Sequence, residues 1–163
     1  MLLKILLAGD GGQGVQTITE IIFQAAFAKN WEVSLIPNYG LEQRGGASLA
    51  FLKISDKQIS YPKFSTADVL VILSSQAKNR TTSFVDTGTK ILDYVDFYKK
   101  NKTLAIAEKS LNVFILGLLS KQLEEKNILD WETVFSLLEK KLKNKTNWEE
   151  NKVAFQLGKK FIS

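Results

Sequence analysis

Gly9-Asp10-Gly11-Gly12-Gln13-Gly14 is the stretch whose residue types most directly suggest chemistry. An apolar run, Leu2 to Ala8, leads into it and a helical pattern follows at once. The order is therefore strand, glycine loop, helix N-terminus. Glycines accept positive φ and let a backbone approach another group closely. The first helical turn adds unpaired N–H groups and the positive end of a dipole, which suits an anion. Gly9, Gly11 and Gly14 also spell GxGxxG. A dinucleotide site would add an acidic residue at the end of the second strand to hold a ribose hydroxyl. That strand ends in Pro37-Asn38-Tyr39-Gly40 without a carboxylate, and Glu32 opens it, so the pattern argues against NAD. A glycine turn needed only for packing strand against helix stays open.

The second stretch is Pro37 to Ala47, a polar, glycine-rich loop that contains Arg44. Arginine is rare in this chain: Lys and Arg total 22, of which Arg44 and Arg80 are the two arginines. A planar, bidentate fork is useful against a phosphate or a carboxylate. Three readings of Arg44 stay open: a ligand anion, a carboxylate on a partner, or an internal pair with Glu42 that orders the loop. Tyr39 either stacks on a planar ligand or covers the rim. Asn112, on an apolar helix, reads as a satisfied buried amide, and Gly117 and Gly158 as close helix contacts.

Absences narrow the chemistry further. The chain has no histidine and no cysteine. It therefore carries no His general base, Ser-His-Asp triad, His metal site, cysteine nucleophile, disulfide or cysteine-ligated iron–sulfur cluster. If the protein takes part in chemistry, the hard steps fall to other groups. The net charge of +5 comes mostly from dispersed lysines with glutamates between them. That pattern reads as solvated helix faces rather than a nucleic-acid stripe. No apolar run is long enough for a membrane span, and the N-terminus lacks the features of a signal peptide, so a cytoplasmic chain is expected.

The length of 163 residues fits one domain with a sizeable core. Hydrophobic periodicity predicts a helix over 13–30 with Ile18, Ile21, Ile22, Ala25 and Ala26 on one face. Strand two is expected over 31–36, ended by Pro37, to give a βαβ unit with adjacent parallel strands. Strands are expected at 48–54, at 58–61 as a short hairpin partner, at 69–73, at 90–95 and at 103–107. Helices are expected at 76–84, capped by Ser74 or Ser75, then at 110–126, at 131–142 capped by Asp130, and from 146 or 147 to about 161. The sum is an α/β chain: a single three-layer domain with a mostly parallel, Rossmann-like open sheet and a helical C-terminal part. In such sheets ligands sit at the C-terminal ends of the strands, where both loops should face each other.

Taken together, Gly9-Asp10-Gly11-Gly12-Gln13-Gly14-Val15, Tyr39-Gly40-Leu41-Glu42-Gln43-Arg44-Gly45-Gly46 and Ile54-Ser55-Asp56 resemble the gamma subunit of 2-oxoacid:ferredoxin (acceptor) oxidoreductases. The likeness continues at Ala67-Asp68-Val69-Leu70, Asn112, Leu116-Gly117, Asn151, Ala154, Phe155 and Gly158, and so runs over essentially the whole chain. Leu41 stands where proline is common, and Gln43 at a variable site. The resemblance implies one gamma-type domain over 1–163 in an enzyme that oxidatively decarboxylates a 2-oxoacid with coenzyme A, giving acyl-CoA, carbon dioxide and reduced ferredoxin. It implies thiamine diphosphate, Mg and iron–sulfur clusters on alpha, beta and delta-type partner subunits, ferredoxin as an indirect partner, and an isolated chain without activity. It offers Gly11, Gly12, Gln13, Gly14, Val15, Tyr39, Glu42 and Arg44 as the residues beside a cofactor or the coenzyme A phosphates, and no catalytic residue. The Asn38-Tyr39-Gly40 form, with Gly45-Gly46 after Arg44, resembles the 2-oxoglutarate type, with pyruvate next. A free-standing nucleotide-binding module and a purely structural assembly subunit are the alternatives.

Overall fold

The computed structural model describes residues 1–39, 46–94, 96 and 106–161, with Tyr39 described by its backbone alone. A five-stranded sheet has the order β2-β3-β1-β4-β5, with β1 at Leu2–Asp10, β2 at Glu32–Tyr39, β3 at Ala47–Ser55, β4 at Val69–Ile72 and β5 at Lys90–Asp93. β1 pairs parallel with β4, and β4 with β5. β3 runs antiparallel to both β1 and β2. Four strands thus point one way and β3 the other, which gives the expected open sheet of mostly one direction.

Two expectations about strand neighbours are corrected. β1 and β2 are parallel in direction but not adjacent, because β3 lies between them. The short β2–β3 connection makes an antiparallel pair, which a βαβ reading leaves out. Pro37 also does not end β2; it sits inside it, opposite Ala50. β2 is an edge strand, where a residue without an N–H is tolerated. Residues 58–61 form no strand. Of the expected strand at 103–107, residues 103–105 lie outside the described residues, and Ile106 and Ala107 are not in a strand.

Two layers of side chains cover the sheet. One face carries Ile5, Leu7, Leu52, Ile54 and Val71 against α1 (Val15–Ala28), α3 (Leu111–Glu125), α4 (Trp131–Leu142) and α5 (Trp148–Lys160). The other carries Leu6, Leu49, Phe51, Leu70 and Ile72 against Ala77 of α2 (Ser75–Thr81), Phe84 of the following 3-10 turn, Phe64 and Ala67. β3, which looks half-exposed from its alternation, is buried along its whole length because both faces are covered.

The helix ends follow from local chemistry. Ser74 caps α2 by accepting from Ala77 N–H at 3.0 Å, and Asp130 caps α4 by accepting from Thr133 N–H at 2.7 Å. α1 stops at Asn30 and α3 at Asn127, both with positive φ (62° and 56°). Trp31 N–H then reaches Ala26 O, and Ile128 N–H reaches Leu123 O, which closes each last turn. Among the described residues no helix is long and apolar enough to cross a membrane.

Candidate functional site

β1 and β4 lie side by side and parallel, yet their loops leave in opposite directions. After β1 the chain passes through Gly11 to Gly14 into α1 on one face. After β4 it passes through Leu73 and Ser74 into α2 on the other. This divergence is a topological switch point, and it opens a crevice above the strand ends. A cavity of about 770 Å³ lies there. Gly12, Gln13 and Leu73 form one wall, and Lys109 and Asn112 stand opposite, at the start of α3.

Each loop residue has a distinct task. Gly9 passes so close to its neighbours that a Cβ would lie 2.9 Å from Gln13 Oε1 and 3.1 Å from Leu73 Cβ. Gly12 turns the chain with φ +90°. Gly14 holds φ +77° as the N-cap of α1, and a Cβ there would lie 2.2 Å from Asn112 Nδ2. α1 begins without a side-chain cap and without an acidic residue in its first turn, so its N-terminal dipole is not neutralised from within the helix. Gly11 N–H donates to Gly46 O at 3.3 Å, which ties the glycine loop to the approach to β3.

Gln13 works inward. Its Oε1 accepts from Asp10 N–H at 2.7 Å, and its Nε2 donates to Leu73 O at 3.1 Å. The side chain therefore braces the loop after β1 against the end of β4. Ser74 Oγ donates to Asp10 Oδ1 at 2.6 Å and makes a second brace across the same gap. Val15 is 2% exposed and packs in the core, so its side chain anchors α1 and does not face the crevice.

Of the residues expected at the site, Gly12 and Gln13 line this crevice, Gly11 and Gly14 flank them in the loop, and Val15 is buried behind it. Tyr39 closes β2 opposite Ser48. Glu42 and Arg44 lie outside the described residues. Sequence reasoning read Ser74 only as a helix cap and Asn112 only as a buried amide, and it passed over Tyr94 and Lys109. Asn112 packs on Gly14 and lines the crevice, and Lys109 does so while paired with Glu150 at 3.0 Å. Tyr94 also lines it, with its Oη 3.5 Å from Ser75 Oγ. From the sequence the strand-end rule led to the loops after the first two strands, and only the three-dimensional order of strands extends it to the segments after β4 and β5.

A sequence model of the pyruvate ferredoxin/flavodoxin oxidoreductase family matches residues 4–161. The 2-oxoglutarate synthase subunit KorC of Methanocaldococcus jannaschii is 37% identical over 100 residues, covering 61% of this chain and 54% of that protein. The common gamma subunit of the pyruvate/ketoisovalerate oxidoreductases of Pyrococcus furiosus is 31% identical over 130 residues, covering 72% of this chain and 70% of that protein. The chain spans about half the length of that KorC protein and 24% of a longer curated relative. Its fold matches the gamma subunit of a keto/oxoacid ferredoxin oxidoreductase from Geobacter sulfurreducens PCA with a TM-score of 0.73 at 21% identity, over 97% of this chain and 94% of the other. With a family match running from the first strand to the last helix, over the fold that bears the glycine rim, this chain belongs to the pyruvate ferredoxin/flavodoxin oxidoreductase family.

Proposed function

We propose that residues 1–163 act as one gamma-type domain of a multisubunit 2-oxoacid:ferredoxin oxidoreductase. The complex oxidatively decarboxylates a 2-oxoacid with coenzyme A to acyl-CoA and carbon dioxide and passes the electrons to ferredoxin. 2-Oxoglutarate is the favoured substrate and pyruvate the next. The observation that carries this reading is the family match over residues 4–161 on a chain with no histidine and no cysteine. Such a chain needs partners for the redox chemistry.

The residues present fit that division of labour. Iron–sulfur clusters require cysteines that the chain lacks. Thiamine diphosphate is held through a divalent ion, and among the described residues no group of three or more His, Cys, Asp or Glu could hold one. In this reading both groups are carried by partner chains. A co-substrate with phosphates suits the rim better. The N-terminus of α1 follows directly on Gly12 and Gln13, which line the crevice, and Lys109 lines it beside Glu108. In this reading Gly12, Gly14 and Arg44 supply donors to an anion, Gly11 ties the loop to the approach to β3, Tyr39 and Glu42 shape the same rim, and Gln13 and Val15 hold the loop. The preference for 2-oxoglutarate rests on the Asn38-Tyr39-Gly40 form with Gly45-Gly46 after Arg44.

The test is an anaerobic affinity purification of the tagged chain from its own source, with mass spectrometry of what accompanies it. Recovery of a thiamine-diphosphate subunit and a cysteine-rich ferredoxin-like chain supports the reading. Acceptor reduction by that complex, measured with 2-oxoglutarate and with pyruvate, then ranks the substrates. Recovery of the chain alone, binding a nucleotide by itself, would replace it with the free-standing module. Arg44→Ala in the assembled complex is expected to raise the KM for coenzyme A about tenfold or more, the scale of one lost charge-assisted contact. An unchanged KM would remove Arg44 from the anion site.

A further inference from the structure

The backbone bonding between β1 and β4 closes with Leu73 N–H, which donates to Ala8 O at 2.8 Å. Beyond it the two chains part, one toward the glycine loop and the other toward α2. Gln13 Nε2 bridges the gap to Leu73 O, and Ser74 Oγ bridges it to Asp10 Oδ1. The two bridges differ in reach. Gln13 binds a backbone carbonyl at the strand end and does not touch α2. Ser74 Oγ gives its one proton to Asp10 at 2.6 Å and takes Ala77 N–H on a lone pair at 3.0 Å. A single oxygen is thus both an anchor of the glycine loop and the N-cap of α2.

Both bonds depend on the same side-chain rotamer, because a turn of Ser74 about χ1 carries the oxygen away from both partners. Ser74 is buried, so little water is at hand to replace either bond. α2 needs that cap. It has seven residues, too few for a helix to persist by itself. It is also tied to the segment at the end of β5. Lys78 Nζ pairs with the buried Asp93 Oδ2 at 2.6 Å, and Ser75 Oγ lies 3.5 Å from Tyr94 Oη. Leu73 and Tyr94 line the crevice. α2 therefore sits behind the crevice, with one connection to the glycine loop and another to the Tyr94 side.

We propose that Ser74 is a positioning residue of the crevice. Through Asp10 it makes the seating of α2 and the conformation of the glycine loop one unit, so the seating of α2 sets how the loop presents its backbone to a ligand. The proposal rests on the oxidoreductase reading for that ligand, coenzyme A, and on geometry alone for the coupling.

The test compares Ser74→Ala, Asp10→Ala and the double variant. Asp10→Ala leaves the α2 cap in place, so it serves even where Ser74→Ala fails to fold. In the full chain without ligand, amide hydrogen exchange is followed at Lys78, whose N–H donates to Ser74 O, and at Gln13, whose N–H donates to Asp10 O. Asp10→Ala should speed exchange at Lys78, and Ser74→Ala at Gln13, each about tenfold, the scale of one lost bond to a carboxylate. The double variant should exchange no faster than Ser74→Ala at either amide. In the assembled complex both single variants should raise the KM for coenzyme A about fivefold with kcat within about twofold. Ser74→Thr, which keeps the hydroxyl, should restore both readouts. Exchange at Lys78 that ignores Asp10→Ala, or effects that multiply in the double variant, would overturn the coupling. Coupled exchange with an unchanged KM would overturn the positioning role. A wild-type complex without 2-oxoacid activity would strike the oxidoreductase reading instead, and the exchange measurement would still decide the coupling.

Discussion

Gly14 and Asn112 are a matched pair. The positive φ of Gly14 and the 2.2 Å approach that a Cβ would make to Asn112 Nδ2 put two independent costs on any substitution there. The left-handed backbone costs a non-glycine residue about 1–2 kcal/mol, and forcing a methyl into a filled site typically adds about 1–3 kcal/mol. Gly14→Ala is therefore expected to lose about 2–5 kcal/mol in urea denaturation. Adding Asn112→Ala should recover the steric part and leave the backbone part, a coupling of about 1–3 kcal/mol in a double-mutant cycle. Strict additivity would mean that the two residues do not meet. Glycine at this position was legible in the sequence, because a strand, a glycine loop and a helix stand in order. The use of Gln13 was not. Its partners are Asp10 three residues before and Leu73 sixty residues on, and nothing in the local pattern shows β4 arriving beside β1.

Helix ends and helix crossings govern the next scale. α3 and α5 cross with their backbones in contact at Gly117 and Gly158. A Cβ on Gly117 would lie 2.2 Å from Phe155 O, and one on Gly158 1.9 Å from Phe114 O. In an exposed helix, glycine to alanine gains about 1 kcal/mol. Here each substitution meets a backbone carbonyl that cannot rotate away, so Gly158→Ala is expected to destabilise by about 1–3 kcal/mol despite its better propensity. A rise in Tm would show that the helices lie further apart. The sequence signalled both contacts, since a glycine inside an apolar helical pattern needs a packing reason. Asp130 governs a different junction. It caps α4 and pairs with Lys29 of the α1 end at 2.6 Å. The Lys29 ammonium first, then the Thr133 hydroxyl, hold its carboxyl well below the usual carboxylate range. A lowered folded-state value means that the stabilisation is complete above the unfolded pKa of about 3.9 and is lost as pH falls through the folded value. Asp130→Asn is therefore expected to lower Tm at pH 7, by an amount that shrinks progressively as pH falls below about 4 and that added salt reduces more at pH 7 than near pH 2. Because the pair is partly exposed, solvent screening keeps the difference to about 1 kcal/mol or less. An equal loss of Tm at both pH values would mean that the carboxylate charge contributes nothing.

At the scale of the whole molecule the two sides of the sheet are unequal, and the crevice lies between them. The fold class was legible because strands and helices alternate and then give way to helices. The insertion of β3 was not, because a hairpin and a crossover use similar strand patterns and differ only in long-range pairing. That insertion places β1 in the middle of the sheet and makes its boundary with β4 the point where the loops diverge. The thick side, α1 with α3 to α5, holds most of the core. The thin side rests on α2 and its 3-10 turn, with Phe51 of β3 making edge contacts to Phe64 at 5.2 Å and Phe84 at 5.3 Å. A layer with little buried apolar area opens at lower free energy than the core around it. Amide hydrogens of Ala77 to Thr81 are therefore expected to exchange through sub-global openings, whereas those of Phe114 to Leu119 in α3 exchange only through global unfolding. Phe51→Ala removes the aromatic that joins the thin layer together. It should cost about 3–5 kcal/mol overall and abolish protection in α2 before it affects α3. Since Leu73 bounds the crevice from this side and Ser74 braces Asp10, the same openings would release that brace on the glycine loop and widen the rim. Equal protection in α2 and α3 would show instead that both layers unfold as one and that the rim is fixed from both sides.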